Sequence, residues 1–347
     1  MIEGDTPGRG IRMAAVALAI VLAWVTYRYV ERPIRFGARR TCHVAWLAAA
    51  MLVVAMAGGG VYKKDGAGNR FAATLQADQT IHILTSSYNC DDSFPVSASQ
   101  TAFSCLPRQG QEKGLAVIGD SHAYHLISGI GEVLKGRGGI FGFSASCAAP
   151  YLNISSGTLD PDARKFRENA YKLINSAYAY ILDDERVQTV VLAHAPTCSY
   201  DSVKDHENPE QTSAGAALES GMRRTFSAFV NAHKRVIVLL DNPHLPFDPS
   251  LCSGRPFRLT EYVGKCSFPR DQMPAWRAFQ SYETLVRKVV KDYPQVQIIN
   301  ALDYFCDDQY CHIDKDGVVL YKDRDHLNAD GSRYMASFIL EKTGLPD

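Results

Sequence analysis

Five short apolar runs limit what this chain can fold into: GLAVIGD (114–120), GIFGFSA (139–145), VQTVVLAHA (187–195), RVIVLLD (235–241) and VQIINA (296–301). Stretches of helical character adjoin them at 121–136, about 161–183, 213–233, 271–292 and 328–342. Strands alternating with helices of this length pair in parallel, because each return to the sheet needs a crossover. Their near-continuous apolarity fits burial on both faces. The expected body is therefore α/β, a three-layer αβα fold around a parallel sheet. The Pro- and Cys-rich DNPHLPFDPSLCSGRPF (241–257) follows the fourth run as a long excursion. Open α/β sheets build their sites at such strand ends.

Two longer apolar runs precede the body, IRMAAVALAIVLAWVTYRYV (11–30) and CHVAWLAAAMLVVAMAGGGVY (42–62). Each is close to the ~20 residues that cross a bilayer. A signal peptide is the alternative for the first, but that run is long and a second follows it. Between them, ERPIRFGARR holds Arg32, Arg35, Arg39 and Arg40, next to Arg28. The positive-inside rule puts this loop in the cytoplasm and everything after Tyr62 on the opposite side, with Lys63 and Lys64 only weakly opposed. The first 64 residues carry nine Lys/Arg against three Asp/Glu, which leaves 28 against 34 in the remainder. The body thus lacks the basic excess that nucleic-acid binding demands.

Cys42 falls in the second apolar run, whereas Cys90, Cys105, Cys147, Cys198, Cys252, Cys266, Cys306 and Cys311 form an even set outside it. An even set suits an oxidising compartment. Neither a CxxC pair nor a paired-histidine spacing points to a metal. Pairing near neighbours joins Cys90 to Cys105, Cys252 to Cys266 and Cys306 to Cys311, and leaves Cys147 for Cys198.

VIGDSHAYH (117–125) places Ser121 where the first strand ends and a helix begins. The unpaired N–H groups of a first helical turn can donate to a developing oxyanion, although a serine there can equally be a plain cap. Far along the chain, LYKDRDHLNADGSRYMA (320–336) holds Asp323 three residues before His326. That spacing lets one carboxylate fix the imidazole tautomer while the other ring nitrogen takes the serine proton. Asp325 is the rival orienter, but adjacent residues do not face each other in a helical turn, so a solvated or loop-stabilising role is expected for it.

GDS at 119–121, DxxH at 323–326 and the βα alternation between them resemble the SGNH hydrolase superfamily. More narrowly, GDSH after an apolar strand, YNCDD and FSCLP, and FCDDQYCHIDKDGVVLYKDRDHLNADG resemble the SGNH domain fused to the carboxyl end of membrane acyltransferase-3 proteins. YRYVERPIR is similar to the end of that family's last membrane-domain helix. The resemblance implies residues 1–40 as the end of the membrane acyltransferase domain, 41–62 as a further transmembrane helix, 63–113 as linker and extension, and 114–347 as the SGNH domain. The remaining acyltransferase-3 helices are absent from this sequence, so a fragment or truncated form is expected.

The activity implied is O-acetylation of a cell-envelope polysaccharide such as O-antigen. Ser121 would be acylated, His326 would act as base, and Asp323 would orient it. An acyltransferase-3 domain, in cis or in trans, would deliver the acetyl group across the inner membrane to an SGNH domain in the periplasm, with no bound cofactor or metal. The superfamily usually completes its oxyanion hole with a Gly and with an Asn from a GxND-like block. FSASCAAP and LAHAPTCSY offer neither at the corresponding strand ends. Candidate donors are the backbone at Ser121, the backbone near Ser146 and the side chain of His194, for which a satisfied polar role is the plain alternative. His122 and His125 read as scaffolding, and His244 and His312 have no partner pattern. Two other functions use the same residues: an acetylesterase with water as acceptor, and an inactive glycan-binding domain, suggested by the missing Asn.

Overall fold

The computed structural model describes residues 9–36, 40–63, 105–106, 114–134, 139–156, 161–198, 203–249, 252 and 266–344. The chain divides into two compact units, Met1–Gln76 and Ala77–Asp347. In the first, α1 (Arg9–Thr26) passes through a π-helical turn, Tyr27–Glu31, into α2 (Arg32–Phe36), and α3 (Arg40–Lys63) follows. Two helical spans, Arg12–Phe36 and Ala45–Lys63, are long and apolar enough to cross a membrane. Their large side chains, Leu22, Trp24, Trp46 and Met51 among them, are exposed. A helix that exposes such groups is at home in lipid rather than in water.

The second unit is built on a six-stranded sheet in the order β1-β3-β2-β5-β7-β9. β2 (Gly114–Gly119), β3 (Gly139–Ser144), β5 (Val187–Ala193), β7 (Arg235–Leu240) and β9 (Val296–Asn300) run parallel, and β1 (Cys105–Leu106) is an antiparallel edge. Among the described residues, three small antiparallel ladders lie outside it: β4 (Ile154–Ser156) with β6 (Val203–Asp205), β8 (Ser267–Pro269) with β10 (Tyr310–His312), and β11 (Asp314–Lys315) with β12 (Val318–Val319). All five apolar runs are strands of the main sheet.

Strand side chains alternate between faces, and here both faces are buried. Ala116 and Ile118 join a core with α5 (Pro161–Asp183) and α6 (Ala214–Asn231), while Leu115 and Val117 join another with α4 (Ser121–Val133) and α9 (Ala329–Thr343). α7 (Trp276–Val290) supplies Val286 to the first core and Phe279 to the second, which the short α8 (Leu302–Phe305) also joins. The helix expected from residue 271 begins only at Trp276. Pro274 disfavours helical geometry at the residue before it, and Met273 is extended, with ψ 124°.

Two glycines let the backbone close around the turn that holds Ser121. A Cβ on Gly119 would stand 1.7 Å from the Ala193 carbonyl oxygen, and one on Gly129 would stand 2.3 Å from the Ser332 backbone. The first lets the ends of β2 and β5 meet; the second lets α4 and α9 cross in contact.

Three disulfides form as the spacing suggests: Cys147–Cys198, Cys252–Cys266 and Cys306–Cys311. Cys90 lies outside the described residues, and with it the expected Cys90–Cys105 bridge and most of the 63–113 extension.

Candidate active site

Ser121 is the first residue of α4, two residues beyond the carboxyl end of the central strand β2. Asp120 caps the helix: its Oδ1 accepts the His122 N–H at 2.9 Å. Its Oδ2 accepts the Ala195 N–H at 2.9 Å and lies 2.9 Å from His194 Nδ1. On the other flank, the Ala145 N–H donates to the Gly119 carbonyl at 3.1 Å. The nucleophile turn is therefore gripped by the loops that follow β3 and β5, and the Cys147–Cys198 disulfide joins those two loops. Burial raises the carboxyl pKa of Asp120, but His194 and His122 outweigh it and hold the group below its ordinary value.

The Asp323–His326 segment comes to Ser121 through the crossing of α4 and α9. Ser332 Oγ accepts the Gly129 N–H at 2.9 Å and donates to the His125 carbonyl. His125 Nδ1 accepts the Leu327 N–H at 3.3 Å, which fixes the residue next to His326. An accepting Nδ1 requires a neutral ring, and burial with two neighbouring imidazoles, His122 and His326, drives the pKa of His125 well down. The 241–245 excursion braces the other side: Asn242 Nδ2 donates to the Asp325 carbonyl at 2.9 Å and the Leu245 N–H to the Arg324 carbonyl at 2.6 Å. The ring of His326 lies 5.0 Å, centroid to centroid, from that of His122, the residue after Ser121.

His326 Nδ1 faces both oxygens of Asp323 at 3.0 Å, and the His326 N–H donates to Asp323 Oδ1 at 2.8 Å. Nε2 is left as the nitrogen able to accept a serine proton. The expectation for Asp325 needs correction. Its Oδ1 is 3.1 Å from His326 Nδ1, so it shares the imidazole with Asp323. The segment is a turn closed by Asp323 Oδ1 accepting the Asp325 N–H at 3.1 Å, not a helical coil, so the rule that separates adjacent side chains does not apply. Burial pulls the His326 pKa down, but hydrogen bonds with Asp323 and Asp325 outweigh it and push it up to about 10. Burial likewise opposes ionisation of Asp323, and its bonds to His326 and Asp325 hold its pKa well below the carboxylate range.

Of the three candidate oxyanion donors, His194 is spent elsewhere. Its side chain is wholly buried, with Nδ1 against Asp120 and the ring edge-on to Tyr282, so it supports the nucleophile turn from beneath. Ser121 keeps its place in the first helical turn. Ser146 lies in a turn closed by the Ala148 N–H on the Ala145 carbonyl at 3.0 Å, and Arg167 Nη1 donates to the Ser146 carbonyl at 2.6 Å. That grip fixes the peptide plane whose N–H belongs to Cys147, a residue in the left-handed region at φ 51°.

Sequence reasoning missed three supports. Asp241 ends β7 and lies 2.5 Å from His122 Nδ1 and 3.2 Å from His244 Nε2; an acidic residue closing a parallel strand was the available signal. Arg167 and Ser332 sit on helices and carried no signal. His312 is remote from this cluster and pairs with Asp307 at 3.0 Å on the surface.

A family model, the SGNH domain fused to AT3 (acyltransferase-3) domains, matches residues 89–341, and the chain belongs to that family. Among solved structures it is similar to the periplasmic domain of a lipopolysaccharide acetyltransferase from Salmonella ser. Paratyphi A, at 14% identity over 68% of this chain and 85% of that one, TM-score 0.49. It is also similar to Axe2, an acetylxylan esterase from Geobacillus stearothermophilus, at 13% identity over 69% of this chain and 97% of that one, TM-score 0.37. No curated protein matches the chain.

Proposed function

We propose that the second unit is a serine-dependent O-acyltransferase that places an acetyl group on a hydroxyl of a cell-envelope polysaccharide. Ser121 is the nucleophile, His326 the general base, and Asp323 with Asp325 hold His326. The acyl donor is an acetyl group passed across the membrane by an acyltransferase-3 domain, as membership of a family in which the two are fused suggests. Carbonyl attack by Ser121 moves its proton to His326 Nε2, which passes it to the donor's leaving group as the donor's acyl bond breaks and the serine ester forms. Neutral His326 then takes the proton of a sugar hydroxyl that attacks the ester, and returns it to Ser121 Oγ as the Ser121–acyl bond breaks. The N–H of Ser121 and the turn Ala145–Ala148, which is bonded to Gly119, are the candidate donors to the oxyanion. The two apolar helices and the paired cysteines support an inner-membrane anchor with the SGNH domain in the periplasm.

One observation carries this reading: Nδ1 of His326 is occupied by carboxylates, with its ring beside the first turn of α4. The test is the full chain carrying Ser121→Ala, expressed with its membrane partner. Loss of glycan O-acetylation is expected, and retained acetylation contradicts the assignment. Supplying wild-type protein with an acetyl ester, with and without glycan, separates the functions. Transfer to glycan supports the transferase; hydrolysis alone under both conditions identifies an esterase, and no turnover of either kind a binding domain.

A further inference from the structure

Next to Ser121 in sequence begins a second constellation, of which the acyl-transfer chemistry uses only Asp325. His122, second residue of α4, and His244, in the excursion after β7, are both buried, and both are held by Asp241. Asp241 Oδ1 meets His122 Nδ1 at 2.5 Å and Asp241 Oδ2 meets His244 Nε2 at 3.2 Å. One carboxylate thereby sets the orientation of two imidazoles and leaves the opposite nitrogen of each for another partner. The third member is Asp325, whose Oδ2 is 4.0 Å from His122 Nε2. One ring nitrogen from each histidine and one oxygen of Asp325 all lie within 4.8 Å of one another.

We propose that His122, His244 and Asp325 form a binding site for a divalent transition-metal ion, with Asp241 as its outer-shell carboxylate. Two imidazoles and one carboxylate suit Zn²⁺ and its neighbours, whereas Mg²⁺ and Ca²⁺ take all-oxygen sets. An imidazole whose far nitrogen is held by a carboxylate is the usual form of a histidine ligand, because that contact fixes the ring and raises its basicity. Ligand atoms around a tetrahedral ion stand roughly 3.4 Å apart, so the set must contract by about 1 Å. Asp325 can supply that movement, since it is a partly exposed residue on a turn while both rings are packed.

Capture of Asp325 has a consequence at the neighbouring centre. Asp325 now shares His326 with Asp323, and an ion on its carboxylate leaves His326 with Asp323 alone. Binding itself does not depend on Ser121 chemistry. The three ligands are separated by 122 and 81 positions (122 to 244, 244 to 325), which is why no sequence spacing announces them.

The test uses the full chain in lipid nanodiscs, stripped with a chelator and titrated with Co²⁺, whose visible ligand-field absorption reports nitrogen and oxygen ligation, followed by competition with Zn²⁺. One ion per chain is expected. Asp241→Asn should weaken binding about 10–100-fold, the usual cost of losing an outer-shell carboxylate, and His244→Ala by more. Asp325→Ala, on a partly exposed turn, should also weaken it and serves if a buried-site variant fails to fold. Ser121→Ala should leave the affinity unchanged, and His326→Ala, which frees Asp325, should not lower it, so an error in the catalytic assignment does not touch this result. Absence of saturable binding to the wild-type chain overturns the proposal. So does binding undiminished in Asp325→Ala, or binding lost with His326→Ala, which would move the ion to Asp323, Asp325 and His326.

Discussion

His326 carries two carboxylates where a serine hydrolase needs only one, and the acid–base behaviour of the site follows from that. A base with its pKa pushed up to about 10 is mostly protonated at neutral pH. In chelator-containing buffer, kcat/KM should therefore climb with pH through the alkaline range toward about 10. Asp325→Asn removes one of the raising partners, so the limb should move to lower pH; an unmoved limb assigns Asp325 no part in holding the base. The same shift has a stability sign. Because the folded pKa lies above the ordinary 6.5, the stabilisation from charged His326 is full below about 6.5 and lost as pH rises toward about 10. Asp323 works in the opposite sense: its pKa is depressed from 3.8, so its contribution is present at neutral pH and lost on acidification. Asp323→Asn leaves Asp325 on His326 Nδ1 and should lower kcat by less than the roughly 10⁴-fold of a triad with one aspartate, whereas the double variant Asp323→Asn, Asp325→Asn should approach that factor. Ser121, Asp323 and His326 were all legible in the sequence, because GDS and DxxH are contiguous motifs. Asp325 was misread because the helical spacing rule was applied to a turn. Asp241 and Arg167 act through contacts made only after folding.

At the scale of elements, the crossing of α4 and α9 brings two halves of the site together across some two hundred residues. Ser332 bridges it through Gly129 and His125, so Ser332→Ala leaves a buried N–H and carbonyl without that partner and should cost about 1–3 kcal/mol. Gly129→Ala sets a Cβ against the Ser332 backbone and should lower Tm and activity together, whereas Gly131→Ala, whose Cβ would meet its nearest neighbour at 3.6 Å, should do neither. Thermal melts and acetyl-ester assays on the three variants check this. The strands were readable because each is buried on both faces and hence continuously apolar. The start of α7 was not, because Pro274 stops a helical pattern that the surrounding composition continues. Nor could the alternation of strands and helices show that α4 and α9 touch. That contact depends on two small residues, Gly129 and Ser332, meeting at one point.

For the whole molecule, the two apolar helices and the disulfides fit one placement: a membrane protein with its SGNH domain on the extracytoplasmic side. The Cys147–Cys198 bridge closes a separation of 51 residues, worth about 4 kcal/mol in the chain-entropy model. It also ties together the loops that grip Asp120 and Gly119. Replacing both cysteines by Ala should lower Tm and reduce kcat more than it raises KM, since those loops hold the nucleophile turn. A proportional change in both constants would make the bridge a general staple. The family was legible from its terminal motifs; for the oxyanion donors the sequence offered candidates at Ser121, Ser146 and His194 without ranking them, because backbone N–H groups leave no mark in a sequence. The central claim is that Ser121 carries the acyl group between donor and acceptor, and it is tested most directly by trapping that ester. The full chain is mixed with an acetyl donor, quenched within the first turnover in the absence of glycan, and mapped by peptide mass spectrometry. A single acetyl group on Ser121, discharged when glycan is added and absent from Ser121→Ala, is the predicted result; an acetyl group on another residue, or transfer that proceeds in Ser121→Ala, contradicts the account.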